Sequence, residues 1–258
     1  LKYMFIMMNA ARYAVGVQGI AVAERAFQQA LEYANERVQG APLTGGKAVS
    51  IAHHPDVQRM LVQMRALTEG SRALAYFAAG VNDKARHSAD ENARKRYQAL
   101  YEFLVPVVKG FSTEMSLEVT SLGVQVHGGM GFIEETGAAQ YYRDAKILTI
   151  YEGTTAIQAN DLVGRKTARD GGENAKAIAA QIATTEAELR ASGTAAAQSM
   201  AERLQAAREA FLEVVDFVAG KAKASPNAVY AGSVPYLMLT GNLVAGWQMG
   251  RALLVAQE

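Results

Sequence analysis

The chain has 258 residues, half of them hydrophobic, a fifth charged and none cysteine; it can bury one large or two moderate cores, but a disulfide framework, thiolate metal sites and a cysteine nucleophile are excluded. Its 26 Lys and Arg against 25 Asp and Glu leave a formal charge of +1, too balanced for nucleic-acid binding as the main activity. The most apolar stretch, 234–256, carries Thr240, Asn242, Gln248 and Arg251 and is interrupted by Pro235, Gly241, Gly246 and Gly250, so it reads as a buried helix and no membrane partner is expected. The opening at Leu1 has no signal-peptide pattern, and the expected location is cytoplasmic. A first residue other than Met suggests a piece of a longer chain.

From Met4 to Val38, Phe5, Met8, Val15, Ile20, Val22, Ala26, Leu31 and Ala34 recur at helical steps, with charged residues between them, which predicts one long helix. Turn chemistry over 40–50 ends it. Pro55 and Asp56 open a second helix that runs to about His87. A third carries Tyr97, Leu100, Leu104, Phe111, Met115, Val119 and Leu122, with a kink expected at Pro106. No period-two run competes, so the fold class is all-α, an antiparallel four-helix-type bundle. Further helices are expected over 155–167, 177–189, 195–218 and 234–257.

Two glycine-bearing segments lie between these groups. Gly128 and Gly129, lacking Cβ atoms, would let backbone N–H groups approach a pyrophosphate, although composition alone favours a helix C-cap turn. Glu152 stands between Ile147, Leu148, Ile150 and a Gly-Thr-Thr helix start, where desolvation would make it a usable base. Spacing alone favours the plainer reading, that it only complements the dipole of the helix that Thr154 or Thr155 caps. His53, His54, His87 and His127 are too scattered for a metal site, and none is expected.

Taken together, Gln125-Val-His-Gly128-Gly129-Met-Gly131-Phe132, Tyr142-Arg143-Asp144-Ala145-Lys146-Ile147 and Tyr151-Glu152-Gly153-Thr154 resemble the C-terminal helical domain of the FAD-dependent acyl-CoA dehydrogenases. The resemblance reaches back through Arg37 and Arg12 and covers residues 1 to about 167, where ordinary members end. The opening segment and the helices over 168–258, an additional C-terminal helical domain, look most like the branch that includes 3-methylmercaptopropionyl-CoA dehydrogenase. The resemblance implies α,β-dehydrogenation of an acyl-CoA thioester, with Glu152 as the base and FAD as the cofactor. It further implies that Arg12, Tyr151 and Gly153 meet the substrate. Arg37, Gln125, Gly128, Gly129, Thr154 and Thr155 would meet FAD, the first four on the flavin of a neighbouring subunit. Expected partners are an electron-transfer flavoprotein or similar acceptor and further copies in a dimer or tetramer. Asn9, Pro55 and Ala156 depart from residues common in the family. The domains that bind the flavin ring and most of the acyl-CoA are not in these 258 residues, so the chain reads as the C-terminal part of a flavoenzyme, inactive alone. An acyl-CoA oxidase, an alkylation-response flavoprotein of the same fold, and a non-catalytic assembly module are the competing readings.

Overall fold

The computed structural model describes residues 2–257, the side chains of Lys2, Tyr3 and Phe5 excepted, so the stripe position expected for Phe5 lies outside it. Three long helices come first: α1 (Lys2–Glu36), α2 (Pro55–His87) and α3 (Glu91–His127). Pro55 starts α2 with its φ already helical, Asp56 follows in the first turn, and Lys84, Arg86 and His87 occupy the last, each sign matched to its end of the dipole. Asp90 caps α3 by accepting from the Asn92 and Ala93 N–H groups at 3.0 and 3.1 Å. The helix then continues through Pro106. Short α4 (Gly129–Phe132) and α5 (Ala138–Leu148) return the chain along α1.

Contacts along α1 fix the directions. Tyr13 donates to the Ala75 carbonyl and Arg72 pairs with Glu24, so α2 runs against α1. Gly16 lies on Val108, Gly19 on Ser112, and Tyr33 on His127, so α3 runs with it. Gly16 and Gly19 are required here: a Cβ at either would come within 2.7 or 3.0 Å of α3's backbone. Gln29 donates to the Thr136 carbonyl and Tyr151 to Gln18, so α5 descends between them. The result is the expected up-down-up-down bundle.

The second half continues with α6 (Thr155–Asp161), a π-helical segment (Leu162–Ala168), α7 (Glu173–Ala191), α8 (Ala195–Lys221), α9 (Pro226–Ala231) and α10 (Ser233–Val255). The helix expected over 155–167 thus widens after Asp161, where Gly164 lies against the Tyr230 hydroxyl. Helix α10 is the apolar stretch. It lays Leu237 on Gly110 and Gly241 on the ring of Phe111, which carries one hydrophobic core from the bundle into the later helices. Arg208 grips buried Glu186 through two hydrogen bonds, 2.7 and 3.0 Å, and the Trp247 indole donates to Thr185 at 2.9 Å. Among the described residues no helix is long and apolar enough to cross a membrane.

Candidate functional site

Between α5 and α6 the chain turns through Glu152 at φ 54° and Gly153 at φ 92°. Glycine accepts the left-handed region freely, whereas in glutamate it costs about 1–2 kcal/mol. Buried donors oppose that cost. The Gln158 amide donates to the Glu152 and Gly153 carbonyls at 3.2 and 3.1 Å, and the Lys109 ammonium donates to the Gly153 carbonyl at 2.7 Å. Both side chains are fully buried, one on α6 and the other on α3. Thr155 bonds to Glu114, one helical turn beyond Lys109, and the Thr155 N–H closes onto the Thr149 carbonyl at 3.1 Å. With the carbonyls drawn inward, the Glu152 side chain is left on the exposed face.

Burial pushes the Lys109 ammonium down to about 8; the nearby Arg12 charge adds to this, while Glu114 and Glu152 act in the opposite sense. The desolvating wall expected around Glu152 is not built by this chain. Leu148 points inward, but Ile147 and Ile150 sit on the outer side of the descending segment and are about half exposed. Thr154 rather than Thr155 caps α6, accepting from the Ile157 N–H at 3.4 Å. The Tyr151 hydroxyl reaches across to Gln18 of α1.

Arg12 sits nearby on α1. It is buried and pairs with Asp161 of α6 at 3.1 Å, its Nε without a hydrogen-bond partner. It lines a cleft of about 770 Å³ with Asn9, Arg86, Asp161, Lys166 and Arg169, a wall in which cations outnumber carboxylates. Arg12, Tyr151, Glu152 and Gly153, together with Thr154 and Thr155, therefore gather on one stretch of the bundle.

Arg37, Gln125, Gly128 and Gly129 lie elsewhere. Tyr33 stacks on buried His127 with ring centroids 4.4 Å apart, which brings the end of α1 to the end of α3. From Gln18, beside the Glu152 turn, to Tyr33 is about 22 Å of helical rise, too far for one pyrophosphate to touch both. Gly128 is the α3 C-cap, at φ 60°, so the cap reading of this turn holds locally. Gly131 has no room for a Cβ beside the Val124 carbonyl. Gly129 is different: its φ is ordinary and a Cβ there would meet nothing within 4 Å, so nothing in this chain requires glycine.

Sequence reasoning does not single out Lys109, Gln158, Glu114 or Asp161. One signal was available for Lys109, a lone cation inside the apolar run from Phe103 to Phe111, which must find an acceptor once buried. The pairing of Asp161 with Arg12, 149 residues away, leaves no local trace.

Residues 1–167 match the family model described as acyl-CoA dehydrogenase, C-terminal domain, and residues 175–258 match one described as acetyl-CoA dehydrogenase C-terminal like. The whole chain is 61% identical to 44% of a 3-methylmercaptopropionyl-CoA dehydrogenase from Ruegeria pomeroyi. Over 99% of its length it is 36% identical to a broad-specificity linear acyl-CoA dehydrogenase from Mycobacterium tuberculosis, again covering 44% of that protein. In fold it is similar to an acyl-CoA dehydrogenase from Bacillus anthracis solved with FAD, at a TM-score of 0.73 and 24% identity over 97% of this chain and 44% of that one. The chain thus spans less than half the length of these relatives. It belongs to the acyl-CoA dehydrogenase family.

Proposed function

We propose that the chain is the C-terminal part of an FAD-dependent acyl-CoA dehydrogenase and supplies the carboxylate, Glu152, that takes the α-proton of an acyl-CoA thioester. The observation that carries this reading is the turn itself. A glutamate held in a costly left-handed conformation, its carbonyl tied inward and its carboxylate outward, is arranged for work on something outside this chain. FAD, when bound, supplies the acceptor for the β-hydrogen as hydride. The α-proton moves to a Glu152 carboxylate oxygen, Gly153 lies beside the thioester, and Tyr151 flanks the acyl chain. The cleft around Arg12, Arg86 and Arg169 suits the phosphate-bearing part of coenzyme A. Exposed Arg37, Gln125 and the bare Gly129 fit a dinucleotide pyrophosphate, since the open space where a Cβ would stand lets a phosphate reach the backbone.

The separation of this glycine turn from Glu152 supports its serving a second FAD, that of a neighbouring subunit, in a homo-oligomer, dimer or tetramer. The partner that would take up the electrons is an electron-transfer flavoprotein or similar acceptor. Likeness to the Ruegeria protein makes 3-methylmercaptopropionyl-CoA the first substrate to try. The test is anaerobic mixing of the full-length enzyme with acyl-CoA, following loss of the oxidised flavin's visible absorbance. Glu152→Gln is expected to keep its flavin and to show no bleaching. Bleaching at the wild-type rate in that variant overturns the assignment.

A further inference from the structure

Resting on Glu152 as the base, we infer that Lys109 and Gln158 are positioning residues for the α-proton step, a buried clamp that holds the Glu152–Gly153 turn in its working conformation. The geometry is specific. Two carbonyls of one turn are met from inside by two fully buried donors, Lys109 from α3 and Gln158 from α6, in three hydrogen bonds of 2.7 to 3.2 Å. A left-handed glutamate relaxes toward ordinary φ unless its neighbours prevent it, and the carboxylate would swing with the backbone. The clamp prevents this without touching substrate. It also excludes a Cβ at Gly153, which would stand 2.7 Å from the Gln158 amide nitrogen.

A charged donor has a second effect. A buried lysine is costly, and a neutral donor would serve for hydrogen bonding alone. The ammonium makes a shorter, stronger bond to the Gly153 carbonyl, 2.7 Å, than the neutral Gln158 amide makes at 3.1 and 3.2 Å. Charged groups facing Lys109 are Glu114 on its own helix, Arg12 on α1 and Glu152 on the turn. Glu114 is itself bonded to Thr155 at the start of α6, so α3 grips both the turn and the helix that follows it.

The test uses the full-length, flavin-loaded enzyme carrying Lys109→Met or Gln158→Met, each close in length to the residue it replaces and lacking the donor. Rapid mixing with acyl-CoA is read as the rate of flavin reduction across pH, with bound flavin and the substrate concentration for half-maximal rate measured in parallel. Misplacing a reacting group by a fraction of an ångström to one ångström lowers rates by about tenfold to a hundredfold. Both variants are therefore expected to reduce flavin at least about tenfold more slowly, with flavin content and half-saturation little changed. A loss of rate with flavin content and half-saturation kept is what a merely structural residue would not cause. Glu152→Gln runs beside them. If it is inert and the clamp variants are slow, the inference stands; if it is inert while both clamp variants keep the wild-type rate, the clamp alone is overturned. If Glu152→Gln bleaches normally, base and clamp fall together. Should Lys109→Met fail to accumulate with flavin, Gln158→Met decides by its rate, and a wild-type rate there overturns the clamp.

Discussion

Two turns of the molecule, one at Glu152–Gly153 and one at Gly128–Gly129, use left-handed backbone in opposite ways. In the first, the strained residue is a glutamate, and its position is maintained by Lys109 and Gln158 at the cost of burying an ammonium group. In the second, Gly128 takes the left-handed position without strain, and the turn is fixed by the Tyr33–His127 stack and the close approach of Gly131 to the Val124 carbonyl. A turn that has only to expose its backbone can be made from glycine. One that must aim a side chain cannot, and needs buried partners to oppose the strain.

The comparison breaks most sharply at Gly153. An alanine there would combine φ 92° with a Cβ 2.7 Å from the Gln158 amide and 3.2 Å from Ile157. The cost is expected to be on the order of 3 kcal/mol, seen as a fall of roughly 2–3 °C in the apparent unfolding temperature of the full-length enzyme. Unfolding within about 1 °C of wild type would mean the turn yields easily, contrary to a clamped site.

Glycine and proline positions and helix periods made the bundle legible in the sequence. Asp90 caps where a helix start was expected, and His87 ends α2 as its period predicted. The candidate site was legible as a motif and not as an environment. Periodicity could not say that Ile150 faces outward, because the segment after α5 is a turn and not a continuing helix. Nor could it show that Lys109 is buried, since a long cationic side chain on an apolar stripe can reach solvent by extending along it. Here the side chain turns inward instead and ends on the Gly153 carbonyl, a partner 44 residues away that the stripe does not reveal.

Lys109 sharpens the comparison through pH. Its free value is 10.5 and burial lowers it to about 8, so between these limits the unfolded chain holds a proton that the folded chain does not. Stability from this group accordingly rises with pH through that window, and below pH 8 the full burial cost is present. Lys109→Met removes that cost and forfeits a hydrogen bond from a charged donor worth about 1.5–3 kcal/mol. The variant is expected to compare best with the parent protein near neutrality, its relative stability falling as pH climbs toward 10. Parallel denaturation curves for the two proteins across this range would show that the ammonium is not held as described. Glu114, Arg12 and Glu152 face the group and are left in place by this substitution. Greater stability together with slower flavin reduction would identify Lys109 as kept for function.

Gly129 gives the smallest effect on folding and the clearest contrast with Gly153. A Cβ at Gly129 points into open space and the backbone there is ordinary, so Gly129→Ala is expected to change stability by less than about 0.5 kcal/mol. If the bare backbone serves a pyrophosphate from a neighbouring subunit, the same methyl group stands where the phosphate approaches. Flavin release, followed by fluorescence on dilution of the full-length oligomer, is then expected to quicken severalfold while the unfolding temperature of the flavin-free protein is unchanged. Unaltered flavin release would leave the cap as the whole explanation of this turn, and the division between a turn that aims a side chain and one that offers its backbone would lose its second half.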